Sequence, residues 1–262
     1  MELIGYISAI AIGISLGIIG GGGSILTVPV LVYLFHIEPL LATSYSLFIV
    51  GVTSAVGSIP YFKNNLIDFQ SVLYFGIPSI ISVLLTRLFI IEVIPMSLFY
   101  IGSFEVTKNI GIMILFAVLM IFAAYKMIHD KSIDAIPRNK PKKLIPMLFL
   151  GAIVGFISGL VGAGGGFLII PALIIFNQMS MKKAVGTSLV IISINSLFGF
   201  IGKLDFQLIN WTFLLTLSII AIIGILIGSK MSQKIDGKKL KPTFGWFVLV
   251  MGLVVILKEI TK

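Results

Sequence analysis

Gly13-Ile-Ser-Leu-Gly17-Ile-Ile-Gly20-Gly-Gly22-Gly23-Ser24-Ile-Leu-Thr-Val-Pro29 decides how this chain is read, because it recurs as Gly155-Phe-Ile-Ser-Gly159-Leu-Val-Gly162-Ala-Gly164-Gly165-Gly166-Phe-Leu-Ile-Ile-Pro171. The glycines and the proline keep one constant offset between the copies. Further blocks follow in the same order: Ala42-Thr43-Ser44 and Gly186-Thr187-Ser188, then Thr53-Ser54 and Asn195-Ser196, then Ile67-Asp68-Phe69 and Leu204-Asp205-Phe206. Repetition on this scale marks a duplication.

Around these blocks the sequence is apolar. Of 262 residues, 58% are hydrophobic and 11% charged. A soluble domain carries about 25% charge, so this chain could not cover a globular surface with polar groups. Residues 3–32, 69–86, 109–125, 144–181, 206–229 and 242–257 contain no Lys, Arg, Asp or Glu. Roughly 18 apolar residues suffice to cross a bilayer core. The expected fold is therefore all-α: a polytopic integral membrane protein. The first apolar run has no basic stretch before it and passes into glycines instead of a cleavage site, so a retained helix is expected. The chain has no cysteine, which removes disulfides and thiol chemistry. Its net charge of +9 lies in loops between spans, where it orients the protein in the membrane rather than binding nucleic acid.

Residues 1–128 form the first repeat, 129–143 a polar hinge with Pro137 and Pro141, and 144–262 the second repeat. Each repeat has five apolar elements: 3–19, 24–35, 40–60, 69–91 and 108–128, then 144–161, 166–176, 183–201, 208–229 and 242–258. The second element of each is too short to span and follows a glycine cluster, so broken or re-entrant helices are expected there. An odd number of crossings per half makes the repeats inverted. The positive-inside rule agrees when the hinge, with Lys131, Arg138, Lys140, Lys142 and Lys143, is cytoplasmic. The basic loops at Lys63, Lys182–Lys183 and Lys230–Lys241 fall on the same side. The loops 36–39, 92–107 and 202–205 then face outward, as does the N-terminus, and only the short tail with Lys258 and Lys262 disagrees. Location in the cytoplasmic membrane is expected.

Runs of glycine at membrane depth are costly in a helix, about 1 kcal/mol each relative to alanine. Unwound backbone in a bilayer survives only where protein or a wet cavity satisfies it. Matching gaps in inverted halves point to a midplane transport site. Short helices are expected to begin at Ser24 and Gly166, presenting free amides and a positive dipole end to an anion. Thr43, Ser44, Thr187 and Ser188 lie near the starts of the next helices, and Thr53, Ser54, Asn195 and Ser196 add neutral donors. The candidate contacts are Gly22, Gly23, Ser24, Thr43, Ser44, Gly164, Gly165, Gly166, Thr187, Ser188 and Asn195. No acid, Lys or Arg is read as deep in a span, so the anion is held by neutral donors and dipoles. No metal ligand set, cofactor or catalytic cluster is present. A membrane enzyme and a transition-metal permease therefore lack support, and an anion or small-solute channel remains the rival.

Plainer roles compete with these. Gly13, Gly17, Gly155 and Gly159 suit close helix packing. Pro29 and Pro171 suit kinks, Asp68 and Asp205 helix N-caps, Trp211 and Trp246 interfacial anchors. Arg87 and Lys108 suit snorkelling to the outer surface.

The doubled glycine block with its proline, followed by the Ala42-Thr-Ser and Gly186-Thr-Ser blocks, resembles the TauE/SafE sulfite-exporter family of membrane permeases over nearly the whole chain. The resemblance implies transport of small sulfur-containing anions such as sulfite, thiosulfate, sulfoacetate or related organosulfonates. The first block here reads Gly-Gly-Gly-Gly-Ser, without the alanine that follows the first glycine of the second block. The expected partners are a small anionic substrate and membrane lipid, with a homodimer left open.

Overall fold

A computed structural model describes residues 2–101, 104–129, 144–162, 164–177, 179–201, 209–234 and 237–260. The chain runs α1 (Glu2–Ile19), a 3-10 turn (Gly21–Leu26), α2 (Thr27–Tyr33), α3 (Pro39–Lys63) and α4 (Phe69–Val93). A hairpin, β1 (Ser97–Ile101) and β2 (Phe104–Thr107), leads to α5 (Lys108–His129). The second half supplies α6 (Leu144–Val161), α7 (Gly166–Asn177), α8 (Met181–Ile201), α9 (Trp211–Lys234) and α10 (Gly237–Ile260). The five apolar elements of each half thus form helices. Most of the hinge, Asp205 and Lys262 lie outside the described residues.

Four described helices are long and apolar enough to cross a membrane: Pro39–Lys63, Phe69–Val93, Met181–Ile201 and Trp211–Ser232. Shorter apolar helices accompany them, among them Gly5–Ile19, Ile145–Val161 and Val248–Lys258. Lipid cannot satisfy backbone groups, so helices, which bond internally, are the form such sequence must take. Along α4, Phe69, Leu73, Ile77, Ile81 and Leu85 recur every four residues and are all about half exposed, while Ser71, Phe75, Ser79 and Val83 face inward and are buried. That is an apolar stripe turned to lipid, with the polar residues inside.

The two halves pack reciprocally. The first helix of each half lies on the fourth helix of the other: α1 on α9, and α6 on α4. The third helices α3 and α8 pack together, as do the fifth, α5 and α10, and the first-half glycine turn packs on α7. Close approaches give the directions. A methyl added to Gly13 would lie 2.9 Å from Ala221 C, and one on Gly17 2.5 Å from Ile225 O, so α1 and α9 run parallel. Gly151 meets Phe75 and Gly155 meets Ser79, so α6 and α4 are also parallel. In contrast, Gly51 meets Leu197 and Gly186 meets Tyr61, so α3 and α8 run antiparallel. Gly13, Gly17, Gly155 and Gly159 all serve close packing, because a side chain at any of them would meet a neighbouring helix. The central pair is the most buried: 61% of the apolar window of α3 and 72% of that of α8, against 39% and 44% for the peripheral α4 and α9 windows.

Three local expectations need correction. The segment 92–107 is not a plain loop but contains a two-stranded antiparallel hairpin, with Tyr100 opposite Glu105. Pro29 produces no kink in a long helix. It falls in the first turn of α2, where its missing N–H is not needed. Lys108 does not snorkel: it is 8% exposed, and its ammonium donates to the carbonyls of Ile91 and Ile94. It caps the end of α4, where the helix dipole favours a cation. Asp68 does cap the start of α4, accepting from the Ser71 backbone N–H at 3.2 Å and from the Ser71 hydroxyl.

Candidate functional site

Both glycine clusters break their helices. Gly20 and Gly162 occupy matching positions one residue after α1 and α6, and both have positive φ, 74° and 73°. Gly164 and Gly165 follow with φ of 67° and 70°. An L side chain at such angles costs about 1–3 kcal/mol, which explains glycine there. The second half then starts α7 at Gly166. The first half differs from expectation: Ser24 does not open a helix but sits inside the 3-10 turn, its hydroxyl donating to Gly21 O at 2.6 Å.

The two breaks meet. A methyl on Gly21 would lie 2.5 Å from Gly166 C, and one on Gly166 2.6 Å from Gly21 O. Each break also sits against the central helix of the other half. Gly20 approaches Ser188 Oγ at 3.0 Å from its added methyl position, and Gly162 approaches the Thr43 backbone at 2.6 Å. The expected residues therefore line the α3–α8 pair without meeting at one point: Thr43 and Ser44 lie where Gly162 packs, whereas Thr187 and Ser188 lie beside Gly20 and near Tyr61, at the other end of α3, roughly 27 Å away. Gly23 lies in the same turn, against Ser15 and Leu16, and Gly22 is in the 3-10 segment with it.

The hydroxyls differ in what they have left to offer. Thr43 donates to Leu40 O at 2.7 Å and Ser188 to Val185 O at 2.8 Å, bonds to their own helices. Thr187 Oγ1 accepts from the Asp68 N–H at 2.9 Å. Asn195 donates to Ser79 Oγ at 2.6 Å, and its Oδ1 has no partner among the described residues. Thr53, Ser54, Ser158 and Ser196 are 0–1% exposed, and among the described residues their hydroxyls have no partner. Ser196 Oγ lies 2.5 Å from where a side chain on Gly164 would start, and Ser158 Oγ 3.3 Å from that point on Gly165. Buried hydroxyls are normally bonded, so Ser158 and Ser196, beside the second break and unpaired among the described residues, are donors left for a polar ligand. Ser158 was missed in the sequence because nothing matches it in the first repeat.

A larger omission is Arg87. Rather than reaching the surface, it is 1% exposed, within a π-helical turn, Thr86–Ile90, that continues α4. Its terminal nitrogens donate to Thr43 Oγ1 at 3.1 Å and Ser44 Oγ at 3.3 Å, while Nε–H has no partner among the described residues. The region around the breaks thus holds a buried cation, contrary to the expectation of neutral donors alone. Among the described residues no group of three or more His, Cys, Asp or Glu could hold a metal ion.

A family model described as sulfite exporter TauE/SafE matches residues 6–255. A probable membrane transporter protein of Methanocaldococcus jannaschii is 28% identical, the match covering 95% of this chain and 94% of that protein. A second, of Xylella fastidiosa, is 27% identical over 94% of this chain and 91% of its own. The probable membrane transporter protein YunE of Bacillus subtilis is also 27% identical, over 96% and 95%. No solved structure matches this chain.

Proposed function

Since the chain belongs to the sulfite exporter TauE/SafE family of membrane transporters, we propose that it carries small sulfur-containing anions such as sulfite, thiosulfate or organosulfonates across the cytoplasmic membrane. The observation that carries this reading is the meeting of the two glycine breaks, Gly21 against Gly166, beside buried and unpartnered hydroxyls. At the start of α7 the Leu168 and Ile169 amides bond to Gly165 O, so the Gly166 and Phe167 amides and the positive end of the dipole are what the helix start offers a ligand. Ser158 and Ser196 supply donors beside Gly165 and Gly164, and Asn195 lies next to Ser196 on α8.

The transport cycle is alternating access. The breaks touch in this conformation, so a substrate enters between them only when they part. Reciprocal packing, with parallel α1–α9 and α6–α4 pairs and an antiparallel α3–α8 pair, supports two inverted repeats exchanged by an axis in the membrane plane. Helices related by such an axis run in opposite directions, whereas an axis along the membrane normal would leave α3 and α8 parallel. With the hinge cytoplasmic, the hairpin 97–107 faces outward.

Purified protein in liposomes, given sulfite, thiosulfate and simple sulfonates with and without a pH gradient, tests the proposal. Saturable flux of at least one of these anions, with counterflow, is expected. Non-saturating conductance without counterflow would replace the carrier with a channel. No response to any oxyanion would overturn the reading.

A further inference from the structure

Two cations are buried near the end of α4, and their surroundings differ. Lys108 lies on the carbonyls of Ile91 and Ile94, an arrangement that explains it as a helix cap. Arg87 has no such explanation. Its partners are two neutral hydroxyls, its Nε–H is unpaired, and among the described residues no carboxylate lies within ion-pair distance. Neutral hydroxyls orient a guanidinium without neutralising it, and an unneutralised charge at membrane depth is costly to keep. It also sits in a π-helical turn, a distortion found mostly where function requires it.

The position connects Arg87 to the second glycine break. Thr43, which accepts from Arg87, is also the residue against which Gly162 packs. Thr86, the neighbour of Arg87, packs against Gly159 at 2.7 Å from its added methyl position. Thr43 has its proton committed to Leu40 O, so it turns a lone pair to the guanidinium. The guanidinium thus lies at the Gly162 end of the second break, where its uncompensated charge favours an anion.

We propose that Arg87 is the substrate-binding cation of this transporter, holding two oxygens of a sulfite or sulfonate group on its planar fork, with Thr43 and Ser44 as positioning residues. The proposal rests on the permease reading and sharpens it. The substrate must carry a full negative charge and at least two oxygens on one centre, a pattern that Arg recognises and Lys does not reproduce. Neutral solutes are excluded.

Thermal unfolding in detergent with sodium sulfite, against sodium chloride at equal ionic strength, tests this together with uptake of radiolabelled sulfite into liposomes. Wild type should melt higher in sulfite than in chloride. Arg87→Met should melt at or above wild type without ligand, because it removes an uncompensated buried charge. It should lose the sulfite response and need at least about 30-fold more sulfite for half-maximal uptake, equivalent to about 2 kcal/mol at 1.4 kcal/mol per decade. Arg87→Lys, which keeps the charge but not the fork, should need roughly 10-fold more, and it carries the test should Arg87→Met fail to fold. An Arg87→Met protein that melts lower than wild type yet responds fully to sulfite overturns the assignment and leaves the permease reading standing. So does an Arg87→Lys protein equal to wild type. A wild type that neither responds to nor transports any oxyanion sinks both.

Discussion

Replacing Gly21 or Gly166 with alanine should each destabilise the protein by about 1–3 kcal/mol, the usual cost of forcing a methyl into filled space. The new carbon at 21 would stand 2.5 Å from Gly166 C, and that at 166 would stand 2.6 Å from Gly21 O. Non-bonded heavy atoms rest at about 3.5–4.0 Å, so either substitution must part the two segments by roughly 1 Å. Both methyls would also strike Ile192 Cδ1. Because one parting accommodates both methyls, the double variant should cost less than the sum, with a coupling of about 0.5–3 kcal/mol. Gly76→Ala is the control: its methyl would find nothing nearer than Ile191 Cγ1 at 4.0 Å. In a helix interior that change should stabilise by about 0.5–1 kcal/mol. Unfolding by sodium dodecyl sulfate in mixed micelles, followed by tryptophan fluorescence, measures all four. Additive singles, or singles no worse than Gly76→Ala, would refute the claim that the two breaks touch.

Other predictions concern the supports of the site and its orientation. Asp68→Ala should lose about 0.5–2 kcal/mol with its cap on Ser71, while Lys183→Met, which removes only a half-exposed 3.9 Å ion pair to Asp68, should lose under about 1 kcal/mol in the same unfolding assay. The chain has no native cysteine, so single thiols report topology cleanly. Met96→Cys, at an 80% exposed position, should react with an impermeant maleimide on intact cells, whereas Ser132→Cys in the hinge should react only after permeabilisation. The opposite pattern would reverse the orientation.

The helices and the breaks were readable because each rests on a strong local signal. Long uncharged runs can only be helices in lipid, and paired glycine clusters with matched prolines repeat across half the chain. What was misread rests on context. Arg87 ends the uncharged run 69–86, which made it look like the end of the span. The apolar sequence resumes at Leu88-Phe89-Ile90-Ile91, however, and α4 continues to Val93 through a π-turn, carrying Arg87 inside. Lys108 similarly looks exposed by its place beside a loop, although the end of α4 folds over it. The hairpin had a legible sign: Phe99, Tyr100 and Ile101, then Phe104, Val106 and Thr107, are aromatic or β-branched and flank Gly102-Ser103, a sequence that favours a turn. Which hydroxyls are spent on their own helix and which are left for a ligand depends on rotamers, so Thr43 could not be separated from Ser196 before the packing was seen.

The central claim is that sulfur oxyanions pass between two glycine breaks that open alternately to each side. Counterflow tests it most directly: liposomes containing the wild-type protein and loaded with unlabelled sulfite are diluted into a trace of radiolabelled sulfite. The account predicts a transient accumulation of label above equilibrium that saturates with sulfite concentration. Uptake no greater than in protein-free liposomes, or label that only equilibrates without overshoot, would contradict it.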